Sequence, residues 1–435
     1  MFLLLLLCIS PVLSKSYVNK LVFLQSLILT SAIQNQLCSF NLKNYLNNIR
    51  PTVKCIDSKS TSYEFSVLSY NILAQYLLEK NSFLYDWSDL RVLSWEYRKR
   101  ILLDEIKKFN ADIICFQEVQ ESHLNWFFKN LLDLGYNGVY KQRTRNHGDG
   151  CAIYYKNDKF LLKEKVTVEY NQPGISVLDR DNVGIVLRLS PRQNEQENVI
   201  VSTTHILYNK KRHDVKLAQV HILLAEIERV SYKGFNNVGG RIIPIYHPII
   251  LTGDFNLEPN TAVYNFLING ALNYSELQKP TLWPQTHNSG RLEMGNELIP
   301  QRLGITENSQ HAHILDLRTS NNHERQTNDS LYSKLYHSER KNDQQWSSNS
   351  KYDHCTGNLY HNLKFASVYS DRSCSTYHDK WIIVDYIFYT HKSLKLKSYT
   401  KLPFEDECLR LPPMPNKVSP SDHLPLFAVF ACPMN

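Results

Sequence analysis

Residues able to carry chemistry sit at the ends of apolar, strand-length runs. Asn71 follows SVLSY, Glu118 follows IICFQ, His205 follows VSTT, Asp254 and Asn256 follow ILTG, Asp385 follows WIIV, and Asp422 with His423 precedes the last apolar run. Any one of these, TGDFNLE included, reads as a turn, because Gly, Asp and Asn populate turns for conformational reasons. Six such endings make a constellation, and if the strands belong to a pair of packed sheets with their ends on one rim, these groups converge there. Glu118, with Asn71 and Asp422, supplies the hard oxygen donors that Mg²⁺ takes while it keeps several waters and binds substrate phosphate. Asp254, held by neighbouring amides, can orient and deprotonate a water. His423 beside Asp385 or Asp422 can stay protonated and stabilise charge on phosphoryl oxygens. Together these residue types serve in-line phosphodiester hydrolysis without a covalent intermediate, where positioning and charge neutralisation provide most of the rate. The sequence has no GxSxG elbow, P-loop or HExxH, so the chemistries built on those motifs fit worse.

The elements that must hold these residues follow from hydrophobic period. FSVLSYNIL (65–73), ADIICFQEV (111–119), GCAIYYK (150–156), VGIVLRL (183–189), NVIVSTTHI (198–206), IIPIYHPIILTGDF (242–255), WIIVDYIFYT (381–390) and LPLFAVFAC (424–432) read as strands. Many are apolar on both parities, as strands covered on both faces are. Trp95 to Asn110 puts Ile101, Leu102, Ile106 and Phe109 on one helical side and leaves Arg98, Lys99 and Lys107 to water. DVKLAQVHILLAEIERV has Leu217, Val220, Leu224 and Ile227 at helical spacing, with Asp214 as the N-cap. Asn260 is placed to cap a third helix that Gly270 stops. One domain is expected over 63–435, after an N-terminal extension or leader at 1–62. The stretch 275–363, with HERQTND and SERKNDQQWSSNSK, lacks apolar periodicity and reads as a polar, partly disordered insertion. Its His311, His313, His323 and His337 are too irregularly spaced for a metal module. No repeat of roughly 20 to 50 residues is present, which removes solenoid scaffolds.

Composition narrows the class. A 43% hydrophobic and 11% aromatic chain is globular. A net charge of +7 and a pI near 8.7 suit a polyanionic partner such as RNA without requiring one. Nine cysteines, an odd number with no CxxC pair, suggest neither a zinc module nor a disulfide framework. Reduced thiols in the cytoplasm are the favoured reading. The alternative is secretory or membrane-associated: Phe2 to Leu13, followed by Ser14, resembles a signal h-region and cleavage site, though without a basic n-region. A second apolar run spans Leu21 to Ile33, and neither run reaches the about 20 residues of a membrane span. Membrane contact, if made, belongs to residues 2–33, and the N-x-S sequons at Asn273 and Asn328 belong to the same alternative.

LSYNILAQ, FQEVQ, THILYN, TGDFNLEP, VDYIFYT and SDHLPLFAVF, in this order, resemble the signature blocks of the endonuclease/exonuclease/phosphatase superfamily. Within it the chain is similar to the angel-type proteins, relatives of the carbon-catabolite-repressor-type deadenylases and of nocturnin. The resemblance covers about residues 63 to 432, apart from much of the insertion. It implies an α/β fold, a two-sheet α/β sandwich flanked by helices of the deoxyribonuclease-I-like kind, and a monomer acting on RNA with Mg²⁺, or with Mn²⁺ in its place. It implies Glu118 as the principal metal ligand with Asn71 beside it and Asp422 completing the metal environment. Asp254 and Asn256 then position the water and the scissile phosphate, and His423, oriented by Asp385, contacts the phosphate. His205 and Asn209 correspond to a phosphate-contacting pair on the rim, and Asn182 in DRDNVG to a substrate contact. Asn182 and Asn209 also have bland readings, as a turn residue and a loop cap.

Two departures bear on substrate. Deadenylases of this kind carry an aromatic and a proline soon after the histidine matching His205, where this chain has HILYNKKRHDVK. They also carry a phenylalanine-containing segment before the VDY block that helps stack an adenine, where this chain has SCSTYHDKW. Base stacking contributes about 1 to 3 kcal/mol per base, so losing that platform weakens poly(A) preference. The expected activity is therefore a Mg²⁺-dependent phosphoesterase at RNA 3′ ends, removing 2′,3′-cyclic phosphates. The alternatives are a 3′ exoribonuclease or deadenylase and, from another class, a non-catalytic RNA-binding regulator.

Overall fold

The structure, a computed structural model, describes residues 42–55, 62–275, 298–320 and 356–433. The N-terminal apolar runs, His323, Asn328, His337 and much of the expected insertion lie outside the described residues. Among the described residues no helix is long and apolar enough to cross a membrane. The chain divides into a unit ending at Pro51, whose described part includes a helix at 42–49, and a second unit beginning at Thr52. The strand Thr52–Lys54 pairs with Lys395–Thr400, so the sheet includes residues ahead of position 63.

Two sheets make the second unit. The first runs Thr52–Lys54, Lys395–Thr400, Leu426–Pro433, Ser62–Asn71, Ile113–Gln120, Asp149–Lys156, Tyr136–Gln142. The second runs Phe365–Ser367, Asp385–Thr390, Ile249–Asp254, Val199–His205, Val183–Pro191, Phe160–Glu169. Each sheet has one parallel pair at its centre: Ser62–Asn71 with Ile113–Gln120, and Val199–His205 with Ile249–Asp254. Parallel neighbours end on the same side, which is why Asn71 and Glu118, and likewise His205 and Asp254, finish together. Asp385 opens the antiparallel neighbour directly opposite Asp254.

Strand period decides which face packs where. In the first sheet Leu68, Tyr70, Ile114 and Phe116 join one apolar cluster with Trp95, Leu102 and Ile106 of the helix Trp95–Phe109. The alternate residues face the second sheet, where Gln117 Nε2 donates to Thr203 Oγ1 at 2.8 Å. The helix His213–Ser231 covers the second sheet, with Leu217, Val220, Leu224 and Ile227 buried. Truncating one such core leucine to alanine costs about 2–5 kcal/mol.

The structure changes several local expectations. The run 242–255 is two strands, not one, because Pro248 has no N–H to continue a ladder. Arg241–Tyr246 forms an outlying ribbon with Tyr232–Val238, while Ile249–Asp254 enters the second sheet. WIIVDYIFYT also divides, into Lys380–Ile382 and Asp385–Thr390. Arg98, expected to face water, is fully buried. The helix from His213 has Arg212 at its cap position without a side-chain cap, and Asp214 lies in the first turn, paired with Arg212 at 3.0 Å. Thr261, not Asn260, caps the helix Ala262–Asn269, and Gly270 ends it at φ +76°. The insertion contributes a helix, Ala312–Ser320, and short strands at Ile305–Thr306, Gln310–His311 and Asn358–Tyr360.

Candidate active site

Backbone irregularities aim the acidic groups. Between Phe116 and Val119 the register against Asp149–Lys156 jumps, so Gln117 and Glu118 stand opposite the single residue Cys151. This bulge holds Glu118 at φ +58°, a conformation a non-glycine residue adopts only when its surroundings enforce it. The motif TGDFN is constrained at each position after Thr252. A Cβ on Gly253 would lie 2.1 Å from Thr204 O of the parallel neighbour, which makes glycine obligatory there. Asp254 then accepts the Asn256 N–H at 2.9 Å, and Asn256 takes a left-handed φ of +48°. Lys216 Nζ donates to Asn256 O at 2.6 Å and fixes the far side of the turn.

Hydrogen bonds join groups from both sheets. Asn71 Nδ2 donates to Glu118 Oε1 at 3.1 Å and to Asp254 Oδ2 at 3.0 Å, while its carbonyl accepts the Leu73 N–H. Asn71 thus turns donors, not its oxygen, toward the carboxylates. The Ala74 N–H holds the other Glu118 oxygen at 3.0 Å. His205 Nε2 lies 3.5 Å from Asp254 Oδ2 and its Nδ1 lies 4.0 Å from Glu118 Oε1. His423 Nδ1 is 2.8 Å from Asp385 Oδ2, and its Nε2 is 3.8 Å from Asp254 Oδ2 and 3.9 Å from Asp422 Oδ1. Tyr85 donates to the second Asp422 oxygen at 2.8 Å, and Ser375 donates to Asp385 at 2.6 Å.

The electrostatics follow from burial and sign. Burial pushes the Glu118 carboxyl up, against the relief from His205 and the Asn71 amide, and the nearby Asp422 and Asp149 charges add to the rise. Burial acts the same way on Asp254, but His205, His423 and the Asn256 N–H overcome it and hold the carboxyl below its ordinary value. Burial disfavours a charged imidazole at His423, yet Asp385, Asp422 and Asp254 reverse this and hold it protonated well above the usual histidine range. One rim therefore presents an ionised acid beside a cationic imidazole. Ligand atoms of Asp254, Asp385 and His423, and separately of His378, Asp422 and His423, lie within 4.8 Å of one another.

The remaining candidates sit around this core. Asn182 is buried, donates to His205 O at 3.0 Å and accepts from Gln219 at 3.2 Å, so its side chain positions the histidine backbone. Asn209 is exposed and accepts the Lys211 N–H at 2.8 Å, closing its own loop. His311 pairs with Glu226 at 3.0 Å, away from this network. Sequence reasoning passed over Tyr85, Asp149, Ser375, His378 and Arg98. Asp149 opens a strand within GDG, a signal that was available; the others are single residues whose partners are distant in the chain. Arg98 donates to Ile72 O at 3.0 Å, Leu73 O at 2.7 Å and Pro420 O at 3.0 Å, tying the loop after Asn71 to the one before Asp422.

Residues 68–423 match the endonuclease/exonuclease/phosphatase family. The chain belongs to this family. It is 36% identical over 411 residues to human protein angel homolog 2, covering 88% of this chain and 71% of that one. Protein angel of Drosophila melanogaster is 30% identical over 381 residues, covering 84% and 80%. Among solved structures it is similar to ANGEL2, described as a 2′,3′-cyclic phosphatase, in complex with adenosine-2′,3′-vanadate. There the TM-score is 0.71 at 34% identity, over 88% of this chain and 99% of that one. The human nocturnin catalytic domain aligns with a TM-score of 0.50 at 20% identity, over 88% and 96%, which bears on the fold alone. The fold is thus the α/β sandwich of this family, and its members are phosphoesterases.

Proposed function

We propose that this chain is an angel-type phosphoesterase that removes 2′,3′-cyclic phosphates from RNA ends with a divalent cation, Mg²⁺ or Mn²⁺. The observation that carries the reading is the Asn71-bridged pair of Glu118 and Asp254, from different sheets, facing the protonated His423. The similarity to ANGEL2 supports the cyclic-phosphate end as substrate. In the first step water oxygen bonds to phosphorus and one ring P–O bond breaks, its ribose oxygen taking a proton from solvent to leave as a hydroxyl beside a phosphomonoester; a second hydrolysis releases phosphate. Asp254, ionised, orients the water and accepts its proton. His423 donates from Nε2 to a phosphoryl oxygen, held by Asp385, and His205 faces the same space.

The donor set fits a hard cation. Glu118 has the like charges of Asp149 and Asp422 nearby, set against His205 and the Asn71 amide. Asp149 Oδ2 and His205 Nδ1 are buried without hydrogen-bond partners. Glu118 would hold the cation, with Asp149 and Asp422 in reach of its field, and the cation when bound neutralises phosphoryl charge. On the opposite wall the half-exposed Tyr208 ring lies 5.4 Å from His378, whose ring is 6.5 Å from His423. The exposed face of the Tyr208 ring suits a terminal base and supports RNA over a phosphorylated sugar or lipid headgroup.

The test incubates the full chain and Asp254→Ala with Mg²⁺ and three labelled RNAs: one A-tailed, one ending in a 2′,3′-cyclic phosphate, one in a 3′ phosphate. The cyclic end should be converted, and Asp254→Ala should slow conversion by on the order of 10² to 10⁴. Shortening of the A-tailed RNA alone would overturn the substrate, and full activity in the variant would overturn the site.

A further inference from the structure

The cleft offers two kinds of ligand. Around Glu118 and Asp254 the neighbours are carboxylate oxygens, the Asn71 amide and one imidazole, His205, 3.5 Å from Asp254. At the other end two imidazoles and one carboxylate converge: His378, Asp422 and His423, with ligand atoms mutually within 4.8 Å. We propose that His378, Asp422 and His423 form a zinc site that captures His423 and inhibits the enzyme.

Two of the three ligands already have the support that zinc ligands need. His423 commits Nδ1 to Asp385 at 2.8 Å, which leaves Nε2 as the ligating nitrogen. A carboxylate on the far nitrogen is the arrangement that orients an imidazole and raises its basicity toward a metal. Asp422 is steadied by Tyr85 on one oxygen at 2.8 Å, and its other oxygen faces His423 Nε2 at 3.9 Å. His378 ends the short strand Thr376–His378, immediately before the reversal at Asp379, whose φ of +59° marks a tight turn. Its main-chain ladder is local, with His378 opposite Lys380.

Zinc bonds imidazole nitrogen at about 2.0–2.1 Å and carboxylate oxygen at about 2.0–2.2 Å, in a tetrahedron. The present separations, up to 4.8 Å, ask for a closure of about an ångström, and the hairpin that carries His378 is joined to the other two ligands by the Tyr377 N–H on Asp422 O at 3.2 Å. The fourth position faces the space where the proposed function puts phosphate, so water or a phosphate oxygen completes the site. Zinc takes the place of the Nε2 proton of His423, which leaves to solvent. Donor chemistry separates the two ends: imidazole suits Zn²⁺, while carboxylate and water suit Mg²⁺ and Mn²⁺. The inhibition rests on the proposed function; binding at these three residues does not.

Cobalt reports the site directly. Co²⁺ added to the full chain should give the intense visible absorption of a tetrahedral centre, displaced by one equivalent of Zn²⁺ and retained in millimolar Mg²⁺. His378→Asn should remove that absorption and weaken Zn²⁺ binding, measured by competition with a chromogenic chelator, by on the order of 100-fold. Circular dichroism and the melting temperature verify that the variant folds, and His311→Asn should leave the spectrum intact. Unchanged absorption in His378→Asn, or displacement of Co²⁺ by Mg²⁺ as readily as by Zn²⁺, overturns the site. With the site established, micromolar Zn²⁺ should inhibit the wild type and spare His378→Asn in whatever residual activity it has; equal inhibition of both overturns the inhibitory role.

Discussion

Asn71 and Asp254 belong to different sheets, yet an amide hydrogen of one lies on a carboxylate oxygen of the other at 3.0 Å. The same amide reaches Glu118 at 3.1 Å. Two carboxylates, Asp254 buried and Glu118 partly so, are thus bridged by a neutral donor. Replacing it with a third carboxylate by Asn71→Asp should destabilise the metal-free protein by about 1–3 kcal/mol, through lost hydrogen bonds and added repulsion. Added Mg²⁺ should restore much of that loss, because the variant gains an oxygen ligand. Melting temperatures in chelator and in Mg²⁺ test this; a variant that melts as the wild type does without metal refutes the bridging role.

Tyr208 should contribute to substrate affinity and little to chemistry. Its exposed ring beside His378 provides a stacking face, so Tyr208→Ala should raise KM for an RNA cyclic end by roughly 5- to 150-fold, the loss of about 1–3 kcal/mol of stacking. The kcat should change much less. Steady-state kinetics against a base-free substrate, the 2′,3′-cyclic phosphate of a methyl riboside, supply the control, since stacking cannot help that substrate. An equal loss on both substrates would assign Tyr208 to the fold of the loop instead.

Arg98 shows both what sequence reveals and where it stops. Helical period identifies the segment 95–110 and its apolar side, because burial of Leu102 and Ile106 repeats every 3 to 4 residues. Period cannot show that a guanidinium crosses to three carbonyls, at Ile72, Leu73 and Pro420, the last of them 322 positions away. Glu118, Asp254 and His423 were legible for a different reason: each ends or precedes a strand, and strand order brings such ends to one rim. Ser375 precedes and His378 ends a strand of 3 residues, and Tyr85 ends a single turn of 4 residues; elements this short show no period, so nothing local marks them. The break in 242–255 was present in the sequence as Pro248 and was outweighed by the apolar run around it. Arg98→Met should leave carbonyls from both loops unpaired and cost about 3 kcal/mol or more in urea denaturation, and Arg98→Lys should recover only part.

Two buried histidines should make the protein acid-sensitive above the range where carboxylates protonate. His361 accepts the Leu363 N–H on Nδ1 at 3.3 Å and donates from Nε2 to Phe266 O at 2.9 Å, so both nitrogens are used by the neutral ring. Burial pulls its pKa down to about 4. His221, against Ser309 at 3.0 Å, is pulled down by burial, and further by His311 and His361, to about 3. The unfolded chain takes up a proton on each near pH 6.5, whereas the folded protein does not until about pH 4 or 3. Between those values the unfolded state binds more protons, so stability is full above about pH 6.5 and falls as pH is lowered. Each group contributes up to about 1.4 kcal/mol per pH unit, or roughly 2 kcal/mol between pH 6.5 and 5. His361→Gln keeps a donor for Phe266 O and cannot titrate. Its urea midpoint at pH 5 should therefore fall less, relative to pH 7.5, than that of the wild type, and an identical fall in both would exclude His361 as a source of the acid sensitivity.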